Sequence, residues 1–215
     1  MKIIIPARGG SKRILSKNII DLNGKPLIAH AIECALEITS EVYVSTDYRD
    51  IASIARSFGA KTLMRPSALA SDHATANEVV AHFLEQVEST TQFAYMQPTS
   101  PLLTSRFLKK GLNKLSRGEY NSVISVTQNT SFFWNDAREP VNFERNKKPR
   151  TQDMEKWYAE NGAFYMTSRF DFEKSAALVS GNVGFVKMPR IMSFEIDTWE
   201  DLEIVKLLHG KGWQE

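Results

Sequence analysis

The sequence predicts an α/β fold in three layers, a mostly parallel sheet between two layers of helices. Two patterns predict it. Short apolar runs rich in β-branched residues alternate with stretches of helical period from residue 2 to residue 126. The segments between them carry the Gly, Pro, Asn and Ser of turns, leaving helices of about 10–15 residues. Sheets of this kind bind ligands at the carboxyl ends of their strands, where the loops after Pro6, Ser45 and Met96 fall.

The elements follow in order. Residues 2–6 form an apolar run suited to a strand buried on both faces. Asn23-Gly24-Lys25-Pro26 is a turn, and Pro26 suits the first position of a helix. That helix covers 27–38: Leu27, Ile28, Ala31, Ile32, Ala35 and Leu36 share one face, and Glu33 and Glu37 the other. Residues 41–45 read as a second strand, 51–58 as a helix ended by Gly59, and 61–64 as a third strand. A long helix is expected over 72–88, a strand over 93–97 and a helix over 104–116. Extended segments follow at 122–126, 162–166 and 183–188, and a helix with Glu200 and Asp201 in its first turn closes the chain over 198–208.

Residues 127–160 break the rhythm. They are polar, with a basic cluster at Arg145, Lys147, Lys148 and Arg150, and with the aromatics Phe132, Phe133, Trp134, Phe143 and Trp157. The natural reading is an inserted arm whose aromatics are covered by a partner subunit, so a homodimer is expected. The whole chain, 1–215, then counts as a single domain carrying this arm.

Composition excludes several classes. Lys and Arg number 27 against 25 acids, a net charge of +2, which supports neither a nucleic-acid coat nor a polybasic membrane anchor. The single cysteine, Cys34, allows no intrachain disulfide and no cysteine zinc site, and its helical position suits packing. The first residues reach Pro6 after three apolar positions, too short for a signal peptide. No apolar run approaches the roughly 18 residues of a membrane span. A cytoplasmic protein with no membrane and no nucleic-acid partner is expected. His30, His73, His82 and His209 lack zinc-ligand spacing and read as core or surface residues. The basic cluster at 145–150 reads as a solvated or anionic-sugar-facing arm rather than an RNA site.

The chemistry concentrates in two places. Pro6-Ala7-Arg8-Gly9-Gly10-Ser11-Lys12-Arg13 leaves the first strand, with Lys17 close behind. Paired glycines let successive N–H groups converge on one anion, and Arg8, Lys12 and Lys17 add positive charge within the same ten residues, enough to neutralise a polyphosphate. The spacing fits neither a Gly-x-Gly-x-x-Gly dinucleotide loop nor a Walker loop, since Gly24-Lys25 is followed by Pro26. The second place is Ser193-Phe194-Glu195-Ile196-Asp197-Thr198. Alternate residues of an extended segment share a side, so Glu195 and Asp197 can face one ion, or can cap the following helix.

These residues resemble a known family. Ile5-Pro6-Ala7-Arg8-Gly9-Gly10-Ser11-Lys12 with Lys17-Asn18-Ile19 is similar to the nucleotide loop of the acylneuraminate cytidylyltransferases. The resemblance continues through Gly24-Lys25-Pro26-Leu27-Ile28, Val44-Ser45-Thr46-Asp47, Arg65-Pro66 with Leu69-Ala70-x-Asp72, and Gln97-Pro98-Thr99-Ser100-Pro101-Leu102. It ends with Arg150-x-Gln152-Asp153, Asn161-Gly162-Ala163-x-Tyr165 and Ile196-Asp197-Thr198. The segments keep the family order across nearly the whole chain.

The resemblance implies a Rossmann-like nucleotidyltransferase that joins CTP to a 2-keto-3-deoxy acidic sugar with loss of pyrophosphate. N-acetylneuraminic acid is the default acceptor; pseudaminic acid, legionaminic acid and Kdo are the alternatives. It implies catalytic roles for Arg8, Lys17 and Asp197, with Lys17 beside the α-phosphate. The nucleotide would meet Ala7, Arg8, Gly9, Gly10, Ser11, Lys12, Asn18, Asp72 and Thr75. The acceptor would meet Gln97, Asn161 and Tyr165, and Arg150 and Gln152 from the arm. Glu195 and Asp197 would hold Mg2+, which takes one or two carboxylates and completes its shell with phosphate oxygens and water.

The chain departs from the family pattern in three places. Arg13-Ile14-Leu15-Ser16 replaces an Ile-Pro-Arg sequence, Leu103 stands where an arginine is usual, and Glu195 where an aspartate is frequent. Two other classes compete: a non-catalytic nucleotide-sugar-binding protein, which intact Lys17 and Asp197 disfavour, and a glycosyltransferase, which would give Asp47 an Asp-x-Asp partner.

Overall fold

A seven-stranded sheet organises the protein, and six of its strands run in one direction. The computed structural model describes residues 1–211. The strands are β1 (Lys2–Pro6), β4 (Val42–Thr46), β5 (Lys61–Met64), β6 (Gln92–Met96), β7 (Ser122–Asn129), β8 (Trp157–Ser168) and β9 (Val183–Met188). They lie in the order β5-β4-β1-β6-β8-β7-β9, and β8 is antiparallel to both its neighbours. All seven expected strands are present. The antiparallel direction of β8 had no sequence signature, because period alone carries no direction.

The chain builds outward from β1 through β4 to β5, then crosses back to place β6 on the other side of β1. A crevice opens where strand order reverses in this way, beyond the carboxyl ends of β1 and β6. Ile3, Ile4 and Ile5 have no exposed surface, because helices cover both faces of β1. Ile3 and Ile5 join a core with α1 (Leu27–Leu36), α4 (Ser105–Ser116) and α6 (Trp199–Leu208). Ile4 joins a second core with Phe93 and with Val80 and Phe83 of α3 (Ala76–Gln86). The remaining helices are α2 (Arg49–Ser57) and α5 (Arg169–Ser175), the latter not foreseen. The Ser168 side chain caps α5 by accepting from the Asp171 N–H.

Helix starts are set by capping rather than by hydrophobic period. The helix expected from residue 72 begins at Ala76, because Thr75 and Glu78 form a capping box that leaves Asp72 in the preceding loop. Pro26 is the cap residue of α1 rather than its first turn. It closes a small hairpin, β2 (Asp21–Leu22) with β3 (Lys25–Pro26), whose turn residues Asn23 and Gly24 both have positive φ, 51° and 87°. That is the pairing a type I′ turn needs.

The expected arm narrows to residues 130–156, since 127–129 and 157–159 are paired strand: Thr127 faces Ala159, Gln128 faces Tyr158 and Asn129 faces Trp157. Its aromatics largely cover one another. Phe132 and Phe143 lie 4.9 Å apart, Trp134 and Phe143 5.2 Å, and Lys148 Nζ sits 4.1 Å from the centre of the Phe132 ring. Trp134 still keeps 50% of its surface exposed. No described helix is long and apolar enough to cross a membrane.

The docking of α6 on α1 includes an unusual pair. The His30 and His209 rings meet edge-on at 4.5 Å, and a His30 ring nitrogen bonds the Leu22 carbonyl at 3.0 Å. Burial lowers both pKa values below the ordinary 6.5, and Lys25 adds to the effect on each. Groups whose folded pKa is depressed give stability that is complete above the unfolded value and lost as pH falls through the folded one. Thermal melts should therefore drop as pH falls below about 6.5. A double replacement of His30 and His209 by Gln should flatten that limb; an unchanged slope would show that other groups set it.

Candidate functional site

The loop after β1, residues 7–18, forms one wall of a crevice of about 450 Å³ at the strand carboxyl ends. Arg8, Ser11, Lys12, Arg13, Lys17 and Asn18 line it, and Arg65, Asp72, Tyr95 and Gln97 stand on other walls. Asn18 is buried, and its amide donates to the Arg8 carbonyl at 2.9 Å, so it fixes the loop's shape.

The glycine pair works differently from the expectation. Neither Gly9 nor Gly10 has a left-handed φ. Gly9 is required by close approach: a side chain there would meet Tyr48 at 2.9 Å. Its N–H donates to Asp47 Oδ1 at 3.0 Å, while Gly10 faces open space. Asp47 thus ties the loop to the end of β4. Ala7 is buried, and its N–H continues the sheet by donating to the Ser45 carbonyl at 2.9 Å.

Two carboxylates gather the cations. Asp72 pairs with Lys12 at 2.5 Å and with Arg8 at 2.9 Å, and these bonds, Lys12 foremost, hold its pKa below the ordinary carboxylate range. Asp197 Oδ1 pairs with Lys17 at 2.9 Å and with Arg13 at 3.1 Å. Lys17, only 14% exposed at its side chain, also donates to the Ile196 carbonyl at 3.0 Å. Left-handed Ser16, at φ 53°, turns the chain into the short helical segment that aims Lys17. Of the departing residues just before it, Ile14 is buried in the core and Leu15 is 80% exposed.

The acid segment runs beside the loop after β1 but does not line the crevice itself. Ile196 is wholly buried and its N–H donates to the Thr99 carbonyl at 2.8 Å, so Glu195 and Asp197 both turn away from the core. Capping of α6 falls to Thr198 and Asp201, which form a capping box. Neither Glu195 nor Asp197 caps the helix; Asp197 is instead engaged with Lys17 and Arg13. Burial, and then the charge of Asp197, push the Glu195 carboxyl above its ordinary range, while Lys17 pulls the other way. Two carboxylates are the oxygen donors a hard divalent cation takes, and among the described residues no group of three or more His, Cys, Asp or Glu stands together to complete a protein-only shell.

A bulge in β8 supports this segment. Ile124 pairs with Tyr165 but Val126 with Glu160, so residues 161–164 bulge opposite Ser125. Gly162, at φ 67°, sits in the bulge, where an added side chain would collide with Glu195 Oε1. The Gln97 N–H donates to the Ala163 carbonyl at 3.1 Å, holding the Gln97 loop against the same bulge.

The other expected positions lie apart from the cations. The Asn161 amide is buried and donates to Ser193 Oγ at 2.9 Å, outside the crevice lining. Tyr165 stands next to Tyr95, ring centres 6.3 Å apart, and its hydroxyl donates to Glu160 at 2.9 Å. The Thr75 hydroxyl is engaged with Glu78. Arg150 and Gln152 are exposed on the arm, where Arg150 bonds Asp153 at 2.7 Å.

Sequence reasoning missed one lining residue of weight. Arg65 is 7% exposed, and its Nε has no hydrogen-bond partner among the described residues. Burial lowers its pKa and Asp47 opposes that shift, but a guanidinium stays charged. Arg65 thus adds a further cation to the crevice wall, its Nε shielded from solvent. Its signature was visible only as part of Arg65-Pro66.

The profile of the cytidylyltransferase family matches residues 2–211. Pseudaminic acid cytidylyltransferases from two strains of Campylobacter jejuni are 36% and 37% identical, over 96% of this chain and 94% of theirs. N-acylneuraminate cytidylyltransferase B of Danio rerio is 33% identical over 90% of this chain, which spans 48% of that protein. The structure of CMP:2-keto-3-deoxy-manno-octonic acid synthetase complexed with CTP superposes with a TM-score of 0.75 at 21% identity, covering 96% of this chain and 97% of that one. 4-Diphosphocytidyl-2C-methyl-D-erythritol synthase from Anaerococcus prevotii follows at 0.69 and 13%, covering 96% of both chains. At these identities the two structures establish the shared fold alone.

Gly162→Ala tests the bulge. A left-handed backbone costs a non-glycine residue about 1–2 kcal/mol, and the new methyl must displace Glu195. Turnover should fall at least about tenfold while the far-UV spectrum stays native. Full activity would show that Glu195 needs no fixed seat.

Proposed function

The chain belongs to the cytidylyltransferase family, and on that premise we propose that it transfers CMP from CTP to the anomeric hydroxyl of a 2-keto-3-deoxy acidic sugar. The carrying observation is the meeting of Lys17 with Asp197, 180 positions apart in the chain and 2.9 Å apart in space. It sets Asp197 of the acid segment against Lys17, a residue that lines the crevice.

In this reading Arg8 and Lys12 bind the triphosphate, and Arg65 takes an acceptor atom of the nucleotide from the crevice wall. Lys17, held in place by the Ile196 carbonyl, stands by the α-phosphorus and stabilises the charge that develops in the in-line transition state. The sugar's anomeric oxygen forms the new bond to the α-phosphorus, the bond to the bridging oxygen of pyrophosphate breaks, and the hydroxyl proton passes to water. Glu195 and Asp197 would hold Mg2+, which when bound neutralises phosphate charge. Positioning and charge carry the catalysis, since no covalent step falls to the protein.

For the acceptor, pseudaminic acid comes first. The Campylobacter jejuni enzymes named for it are similar to this chain across nearly their full length. N-acetylneuraminic acid comes second, supported by similarity to about half the length of the Danio rerio enzyme. Pyrophosphate release from CTP across these two acids, legionaminic acid and Kdo, with and without Mg2+, tests the reading. We expect Mg2+-dependent release with at least one acid; none with any would overturn it. Lys17→Ala should lower turnover by roughly a hundredfold or more with the fold intact, and wild-type-like turnover would remove Lys17 from the mechanism.

The reading extends to assembly as a homodimer through residues 130–156, supported by the half-exposed Trp134 and Val141 of the arm. Sedimentation should give the mass of two chains, and Trp134→Ala should shift it toward one. A wild-type monomer at micromolar concentration would exclude the dimer.

A further inference from the structure

The last strand of the sheet is open on its outer side. β9 pairs with β7 alone, in parallel register from Val183 beside Ser122 to Met188 beside Thr127. Among the described residues no other backbone group bonds residues 183–188, so the outward N–H and C=O groups of β9 have no backbone partner. An edge of this kind is a template for a further strand unless something covers it or repels the newcomer.

A groove of about 450 Å³ follows this edge. Lys114 and Arg117 at the end of α4 line it, with three consecutive residues of β9: Phe185, Val186 and Lys187. Successive side chains of a strand point to opposite faces, so three in a row share one groove only where it runs along the backbone edge. The packing agrees. Val186 and Met188 belong to the core that α4 covers, and a side chain at Gly184 would meet Tyr120 at 2.8 Å. Phe185 and Lys187 lie on the other face. The Phe185 ring is centred 5.6 Å from that of Tyr158, and Lys187 donates to the Tyr158 hydroxyl. Phe185 keeps 39% of its surface exposed.

The rim of the groove is positive. Residues 105–117 carry five cations and no acid. Lys114 Nζ lies 5.4 Å from the centre of the Tyr120 ring, and neither Lys114 nor Arg117 has a carboxylate partner among the described residues. These cations guard the edge against a second copy of this chain, because pairing β9 with β9 would crowd two sets of like charge. The same cations attract an acidic chain. We propose that β9 and α4 form a docking groove for an acidic, extended segment of a partner protein, which joins the sheet as an eighth strand. Its backbone pairs with the open edge. On one face its alternate acidic side chains meet Lys114 and Arg117, and on the other its apolar side chains cover Phe185. A membrane or a nucleic acid supplies negative charge but no row of N–H and C=O groups for the edge. The groove shares no lining residue with the crevice of the nucleotide loop, so docking is independent of the chemistry proposed above.

A peptide of about eight residues alternating glutamate with valine is the probe. Titrated into the full chain, it should bind more weakly as salt rises and should slow amide exchange at residues 183–188. Its counterpart alternating lysine with valine should bind at least about tenfold more weakly. Lys114→Glu combined with Arg117→Glu should reverse that preference with the far-UV spectrum native. Equal binding of the two peptides, or binding without slowed exchange at residues 183–188, would overturn the proposal. No binding at about millimolar peptide would also overturn it and leave the cations as guards of the edge. Binding of phosphatidylserine vesicles or a single-stranded oligonucleotide, with the glutamate–valine peptide inert, would replace the protein partner with that polyanion.

Discussion

Ile196 is the point on which the site depends. Its side chain is wholly buried, its N–H is tied to the Thr99 carbonyl, and its carbonyl receives Lys17. One residue thereby joins the core, the loop after β6 and the loop after β1. Because its side chain points inward, its neighbours Glu195 and Asp197 must point outward, and the cations of the first loop meet carboxylates from the far end of the chain. Hydrophobic burial here sets electrostatic geometry, which is cheaper than holding charges in place by ion pairs alone.

The ion pairs themselves divide into two sets. Asp72 collects Arg8 and Lys12 on one side of the crevice, and Asp197 collects Lys17 and Arg13 on the other. Most of these groups are solvated enough that the pairs add little to stability. Their consequence lies in preorganisation, since four cations are held around one crevice. The chain as a whole carries a net charge of only +2, so this cation cluster is local.

The β8 bulge is the second structural device. Through it Gly162 makes room for Glu195, Ala163 holds the Gln97 loop, and Glu160 comes within reach of the Tyr165 hydroxyl. The arm leaves the sheet from the same pair of strands, β7 and β8, so bulge and arm are two interruptions of one ladder. The departures from family pattern settle without damage to the fold. Leu103 is buried where an arginine is usual, and Ile14 fills the core beside exposed Leu15.

Sequence alone determined the seven strands, the mostly parallel sheet, and the loops at its carboxyl ends. Each depends on local period and composition, as in Ile3-Ile4-Ile5 or the helical spacing of Leu27, Ile28, Ala31 and Ile32. It also marked Arg8, Lys12, Lys17, Glu195 and Asp197, because clustered charge of one sign is visible in one dimension. Only the tertiary structure decided the direction of β8, the start of α3, the buried and unsatisfied Arg65, and the reason Gly9 must be glycine. It also showed that the arm's aromatics pack on one another and that Glu160 reaches Tyr165. All of these are set by contacts between residues distant in the chain, or by capping bonds whose outcome depends on what packs behind them. Local pattern records neither.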